Sequence, residues 1–310
     1  MPFEHYSVMR EECIKALNIR PDGIYVDMTL GGGGHSELIA QQLQGGRLIG
    51  IDRDADALAA AEKRLAPYGA KITYVKDNYK NIKNILSDLG LDAVDGILCD
   101  MGVSSYQLDE AERGFSYRFD APLDMRMDRS AEKTAKTVVN TYSKEQLAEI
   151  IFRYGEERLA RKIAAKIVAA REIAPIETTG RLTEIIKSAF PPDKRFADKH
   201  PAKRTFQAIR IEVNDELKGL DEAFEDAVDS LRSGGRIAVM SFHSLEDRVV
   251  KNTFKRLSQG CICDKSMPVC VCHNREILRL INRKPIVAGE AELRENNRSK
   301  PAKLRVGEKI

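Results

Sequence analysis

Residues 24–36, IYVDMTLGGGGHS, constrain this chain more than any other stretch. Ile24, Val26 and Met28 read as a buried strand, residues 31–34 are all glycine, and His35 and Ser36 open a helical pattern. Strand, glycine loop and helix form the unit by which an α/β domain holds a ligand at the carboxyl end of its first strand. Glycines let the backbone approach the ligand, and the helix N-terminus offers N–H groups and partial positive charge. A tight turn alone would also use glycines, so the next segment matters. A second strand, RLIGID, ends at Asp52, about twenty residues after the first glycine, where nucleoside-binding folds set an acid on the ribose hydroxyls. Asp52 is assigned that role with Asp54 in reserve; the competing assignment makes both of them caps of the helix from Ala55.

A dinucleotide loop requires G-x-G-x-x-G, but Gly31 and Gly33 are followed by Ser36. A P-loop requires a lysine that is missing here. An acid at the end of the first strand (Asp27) followed by this glycine run is similar to the S-adenosylmethionine site of class I methyltransferases.

A third strand at 71–75 leads to Tyr79, the candidate to cover an adenine face, with packing on the sheet edge as the alternative. A fourth, GILCD, ends at Asp100, beside the glycine loop if the sheet is doubly wound. Cys99 reads as core. After Gln107 the α/β rhythm stops. Residues 125–205 read as an inserted helical domain, opened by a Ser143/Gln146 capping box. Residues 1–124 and 206–310 then form one discontinuous α/β domain. Its fifth strand is 236–241, and 277–281 with 303–306 form a closing hairpin.

The net charge of +3 is too small to identify a partner, but its distribution is uneven. Six basic residues (Lys194, Arg195, Lys199, Lys203, Arg204 and Arg210) face two acids within 193–210, interleaved with Phe190, Phe196 and Phe206. Such a stretch can track a phosphate backbone and stack bases, or it can be a solvated surface with core phenylalanines. No apolar run reaches the roughly 20 residues of a membrane span, and the polar N-terminus does not read as a signal peptide. Six cysteines without a secretory signal point to reduced thiols in the cytoplasm. Four of them, Cys261, Cys263, Cys270 and Cys272, lie close enough in sequence to hold a structural zinc ion, although their spacing is C-x-C and not C-x-x-C.

Several strings together resemble one family, the MraW (RsmH) methyltransferases. They are HYSVM from His5, DMTLGGGGHS from Asp27, DMGVSS from Asp100 with Gln107, and RGFS from Arg113. They continue with PLDMRMD from Pro122, TFQAIR from Thr205, SFHSLEDR from Ser241 and KLRV from Lys303. The match runs along essentially the whole chain. The resemblance implies a class I (Rossmann-like) fold with a doubly wound, mostly parallel seven-stranded sheet and an inserted helical substrate-recognition domain. It implies methylation of a cytosine N4 amine in the decoding region of bacterial 16S ribosomal RNA. It implies S-adenosylmethionine contacts at Gly33, Gly34, His35, Asp52, Tyr79, Asp100 and Gln107. The expected partner is the small ribosomal subunit, with no membrane or DNA partner; a homodimer is one assembly open to the chain.

The expected chemistry is in-line displacement, with an acceptor beside N4 that localises its lone pair and takes the developing charge. Many amino-methyltransferases place an Asp/Asn-Pro-Pro-aromatic string after strand four. Here Asp100 is followed by Met101, Gly102 and Val103, so Asp100 is the first candidate acceptor without the usual proline turn. Asp124, Asp128 and His243 stand second, His243 with an alternative role packing the exit of strand five. Two other classes compete: a ribosome-assembly binder without catalysis, and a nicotinamide-dependent oxidoreductase, which the missing third glycine disfavours.

Overall fold

The computed structural model describes residues 7–195, 200–261, 263, 264, 269, 271, 272 and 274–310, with the side chains of Ser105 and Tyr106 excluded. Lys199, Cys270 and Phe196 lie outside the described residues. The chain forms two compact units, Met1–Gly102 with Gly219–Ile310, and Val103–Lys218.

The first unit is built on one seven-stranded sheet. Its strands are β1 (Ile24–Asp27), β2 (Arg47–Asp52), β3 (Ile72–Lys76), β4 (Val94–Asp100), β5 (Leu231–Ser241), β6 (Leu278–Leu280) and β7 (Lys303–Lys309). Their order is β3-β2-β1-β4-β5-β7-β6. The first five are parallel, and β7 runs antiparallel between β5 and β6. This is the seven-stranded class I arrangement with its terminal hairpin. β1, β2 and β4 are buried along nearly their whole length and do not alternate, as expected of parallel strands covered on both faces. The helix Arg10–Leu17 buries Cys13 and Leu17 in a cluster with Leu48, Leu98, Met240 and Leu304. Cys99 is core, as read from the sequence.

Chain order reverses between β1 and β4, and this switch point is where an open α/β sheet receives its ligand. The last residues of β1, β2 and β4 are Asp27, Asp52 and Asp100, so three carboxylates arrive at one edge of the sheet.

β5 starts five residues before the strand expected at 236. Leu231 pairs with Val94, and the register then shifts before Gly96 meets Arg236, with Gly234 at φ 77° in the intervening irregularity. Gly234 and Gly235 therefore lie in a bulge inside a strand.

The second unit is helical. Leu123, Met125, Val138, Leu147, Ile151, Ile163, Ile186 and Ile209 share its core. The helix Lys144–Gly155 opens on the capping box expected at Ser143 and Gln146. The unit is wider than the insertion at 125–205 read from the sequence. Leu123 N–H donates to Glu177 O at 2.9 Å, Thr179 N–H donates to Ala121 O at 2.9 Å, and Phe115 and Leu123 lie in the helical core. At the other end, Phe206 and Ile209 of the helix Lys203–Asn214 fill the same core. Gly114 explains part of the RGFS string: its φ is +70°, and a Cβ there would sit 2.3 Å from Pro122 O. Among the described residues, no helix is long and apolar enough to cross a membrane.

Candidate active site

The glycine loop is tied down from three sides. Leu30 N–H donates to Ile51 O at 2.9 Å, and Gly31 N–H donates to Asp52 Oδ2 at 2.8 Å. Asp100 N–H donates to Thr29 Oγ1 at 2.6 Å. The loop thus joins the ends of β2 and β4 to its own strand. Gly33 has φ +77° and precedes the helix Gly34–Gln42, where a Cβ would press on Leu65 and Ala61 at 3.2–3.3 Å. Gly32 is the opposite case: nothing lies within 4 Å of a Cβ built there, so that face of the loop is open. No side chain caps the first turn of the helix, which leaves its N–H groups for an anionic ligand group such as a carboxylate.

Asp27 is buried and doubly engaged. Its Oδ2 accepts from Ser36 Oγ at 2.7 Å and its Oδ1 from Thr29 N at 3.1 Å, so it fastens both ends of the loop. Burial outweighs these bonds and pushes its carboxyl up to about 6. This residue is absent from the contacts implied by resemblance; its position before the turn was the available signal.

Asp52 accepts from Gly31 N and, at 2.9 Å, from Asp54 N. Each oxygen keeps one lone pair for a further donor, which is what a ribose diol supplies. Burial raises its carboxyl. Asp54 is the cap of the helix Ala55–Leu65, accepting from Asp56 N, so the capping alternative holds for Asp54 and not for Asp52. Asp77 N–H donates to Asp52 O at 3.2 Å and leads into the turn Tyr79–Asn81, where Tyr79 is half-buried.

His35 is buried with Nε2 2.9 Å from Val8 O. A carbonyl only accepts, so Nε2 carries the proton. Burial pushes the ring down to about 4, so it is neutral at pH 7 with a bare Nδ1. That nitrogen lies 3.5 Å from Asp100 Oδ2. Burial, with the charges of Asp27 and Glu246, pushes the Asp100 carboxyl well above its ordinary value. The imidazole is neutral, and burial disfavours the charged form of the acid beside it, so the pair is not a charged ion pair. Asp100 Oδ1 is buried with no hydrogen-bond partner among the described residues. An orphaned carboxylate oxygen beside a glycine loop fits a cationic or N–H-bearing group, such as the ammonium of S-adenosylmethionine or an aromatic amine.

His243 caps the helix Ser244–Leu257: Nδ1 accepts from Glu246 N at 3.3 Å, and Glu246 Oε2 accepts from Phe242 N and His243 N. These bonds tie the exit of β5 to the first turn of that helix.

The other candidates belong to the second unit. Gln107 Oε1 accepts from Ser104 N at 3.1 Å while Ser104 Oγ accepts from Gln107 N. Asp124 is clasped by Arg126 through both oxygens, at 2.7 and 2.9 Å. Burial alone would raise Asp124, but the guanidinium holds it below the ordinary carboxylate range. Asp128 accepts from both the N and the Oγ of Ser130. Lys194, Lys203 and Arg204 are exposed, with Arg204 also donating to Glu156 O, and Arg195 Nε donates to Phe190 O. Phe206 is core, so the stacking role does not extend to it.

The model of the MraW methylase family matches residues 2–310. The chain belongs to the MraW methylase family. A relative from Agathobacter rectalis, "Ribosomal RNA small subunit methyltransferase H 2", is 57% identical over the whole of this chain and 99% of its own length. "Ribosomal RNA small subunit methyltransferase H" from Brevibacillus brevis is 53% identical over the same shares, and its namesake from Clostridioides difficile is 51% identical over all of both chains. As a MraW methylase this chain is an S-adenosylmethionine-dependent methyltransferase. The site fits that membership: loop, Asp52, His35 and Asp100 converge on the switch point of one sheet. The oxidoreductase alternative is thereby set aside.

Proposed function

We propose that this chain methylates the N4 amine of a cytosine in the decoding region of the bacterial small-subunit ribosomal RNA, in the cytoplasm. Membership of the MraW family and the names of the relatives support the RNA substrate. The observation that carries the chemistry is the buried, unpartnered Oδ1 of Asp100 at the switch point.

The glycine loop and the uncapped helix N-terminus receive the amino-acid end of S-adenosylmethionine, and Asp52 receives its ribose. Tyr79 covers the adenine, and Gln107 is a further contact that the family resemblance implies. When bound, that group supplies an electrophilic methyl on a sulfonium. The protein's task is to orient the cytosine amine, whose lone pair is delocalised into the ring. Asp100 accepts a hydrogen bond from N4, localises the lone pair and takes the proton the amine sheds. It does so as a carboxylate, so a nearby cation that drives off its proton also arms it. His35 Nδ1, which is bare, can accept from Oδ2 only while the carboxyl holds its proton, so it favours the protonated form until a cation displaces that proton. Asp124 and Asp128, each tied within the second unit, serve RNA recognition by shaping that unit, and Lys194, Arg195, Lys199, Lys203 and Arg204 meet phosphates. The target base leaves its stack to reach the donor.

The test is transfer of a tritiated methyl group to purified small subunits and to free 16S RNA, followed by nucleoside analysis. N4-methylcytidine at one position is expected. Label on another base, or none on either substrate, would refute the assignment.

A further inference from the structure

The segment joining the helix Ser244–Leu257 to β6 takes no part in the reaction proposed above. Its two ends are clipped together. Ile277 N–H donates to Leu257 O at 3.0 Å, and Asn274 Nδ2 reaches the carbonyls of Gln259 and Gly260 at 2.8 and 2.6 Å. Beyond this clip, Cys261 and Cys272 face each other with Sγ atoms 3.7 Å apart. The Sγ atoms of Cys261, Cys263 and Cys272 all lie within 4.8 Å of one another.

These distances suit a metal better than a bond between sulfurs. A disulfide would hold its sulfurs at about 2.05 Å. Zinc–thiolate bonds of about 2.3 Å at tetrahedral angles separate neighbouring sulfurs by about 3.8 Å. Val271 N–H points at Cys263 Sγ at 3.4 Å, the kind of amide–sulfur contact that orients and stabilises a ligating thiolate. Soft thiolates select zinc over magnesium or calcium.

We propose that Cys261, Cys263 and Cys272 bind one zinc ion, which fastens the loop between helix and sheet. None of these cysteines belongs to the active site, so the ion is structural. It stabilises by closing the loop, and because thiolates must shed protons to bind, the metal is lost at acid pH.

The full-length chain, purified without chelator, should carry one equivalent of zinc by mass spectrometry of its metal content. Exchange for cobalt should give sulfur-to-cobalt charge-transfer absorption. A C261S/C272S variant should lose the metal and that absorption while binding S-adenosylmethionine as the parent does. Should that variant fail to fold, C263S alone should lower the charge-transfer band by about one third or abolish it. Protein that is metal-free with reduced thiols and takes up no cobalt overturns the proposal. So does zinc retained at full occupancy in C261S/C272S, or a Cys261–Cys272 disulfide in freshly purified protein.

Discussion

Replacing Asp27 by Asn should stabilise the free protein at neutral pH, although it deletes a charged hydrogen-bond acceptor from the core. The Asp27 carboxyl is raised from 3.8 to about 6 by burial, against the bonds from Ser36 and Thr29. A shift of about two units corresponds to about 3 kcal/mol. Because the folded-state value is raised, the folded protein holds this proton more tightly than the unfolded chain does. Asp27's favourable contribution is complete below about pH 4 and is lost as the pH rises through about 6. Asparagine carries no charge and escapes that loss. Its amide accepts at only one atom, so either Ser36 or Thr29 forfeits a partner, at about 1 kcal/mol. The stability difference, D27N minus parent, should therefore run from about −1 kcal/mol at pH 4 to about +2 kcal/mol at pH 7.5. Urea denaturation of both proteins across that range, followed by circular dichroism, measures it; groups titrating alike in both cancel in the difference. A difference that stays flat with pH, or a variant less stable at pH 7.5, would refute the reasoning. Affinity for S-adenosylmethionine should fall in the same variant, since the loop loses one of the two hydrogen bonds that Asp27 accepts from it.

Asp100→Asn should lower methyl transfer by at least about a hundredfold with the melting temperature kept or raised, as expected for a lost transition-state acceptor; near-normal turnover removes Asp100 from the mechanism. Gly32→Ala should leave stability within about 0.5 kcal/mol and weaken cofactor binding, whereas Gly33→Ala should cost about 1–2 kcal/mol through its positive φ, both read by denaturation and calorimetry. Asp124→Asn should destabilise the protein by about 1–2 kcal/mol through the lost Arg126 clasp; a large fall in rate at unchanged stability would instead give Asp124 a chemical role. Lys203→Ala and Arg204→Ala should each reduce the slope of log affinity for RNA against log salt by about 1, and an unchanged slope would exclude a phosphate contact.

Much of the first unit was legible because its signals are local. A buried strand, a glycine run and an acid at a set distance lie within thirty residues, and physics leaves such a triplet few folds. The Ser143/Gln146 box was legible for the same reason. What escaped depends on partners far along the chain. The wider second unit is held by Ala121 to Thr179 and Leu123 to Glu177, and nothing near residue 121 announces those bonds. Leu231 sits in β5, ahead of the strand expected at 236, because Val94 offers it a partner. Asp124 and His243 look like chemistry as isolated letters; Arg126 two residues on and Glu246 three residues on were visible, but the bonds that engage them were not. Phe206 carries basic neighbours in sequence, yet the helix turns its ring into the core while Lys203 and Arg204 point outward.

Three aspartates end three adjacent parallel strands, and sequence position alone would make them equivalent. Burial and hydrogen-bond saturation together separate them. Both oxygens of Asp27 are engaged by the loop it holds, it is buried, and it offers nothing to a ligand. Asp52 gives one lone pair of each oxygen to backbone N–H groups and keeps the others for hydroxyls. Among the described residues, the Asp100 carboxyl has a bare imidazole nitrogen 3.5 Å from Oδ2 and no hydrogen-bond partner at Oδ1. Leaving an acceptor unsatisfied in a buried place costs folding free energy, so the deficit at Asp100 is tolerable only where a donor arrives later. Asp27 and Asp52 are equally saturated and differ in exposure, while Asp100 is under-saturated, so the two properties together order the three from scaffold to chemistry. With asparagine at the three positions in turn, the damage should move from loop anchoring, to cofactor affinity, to turnover.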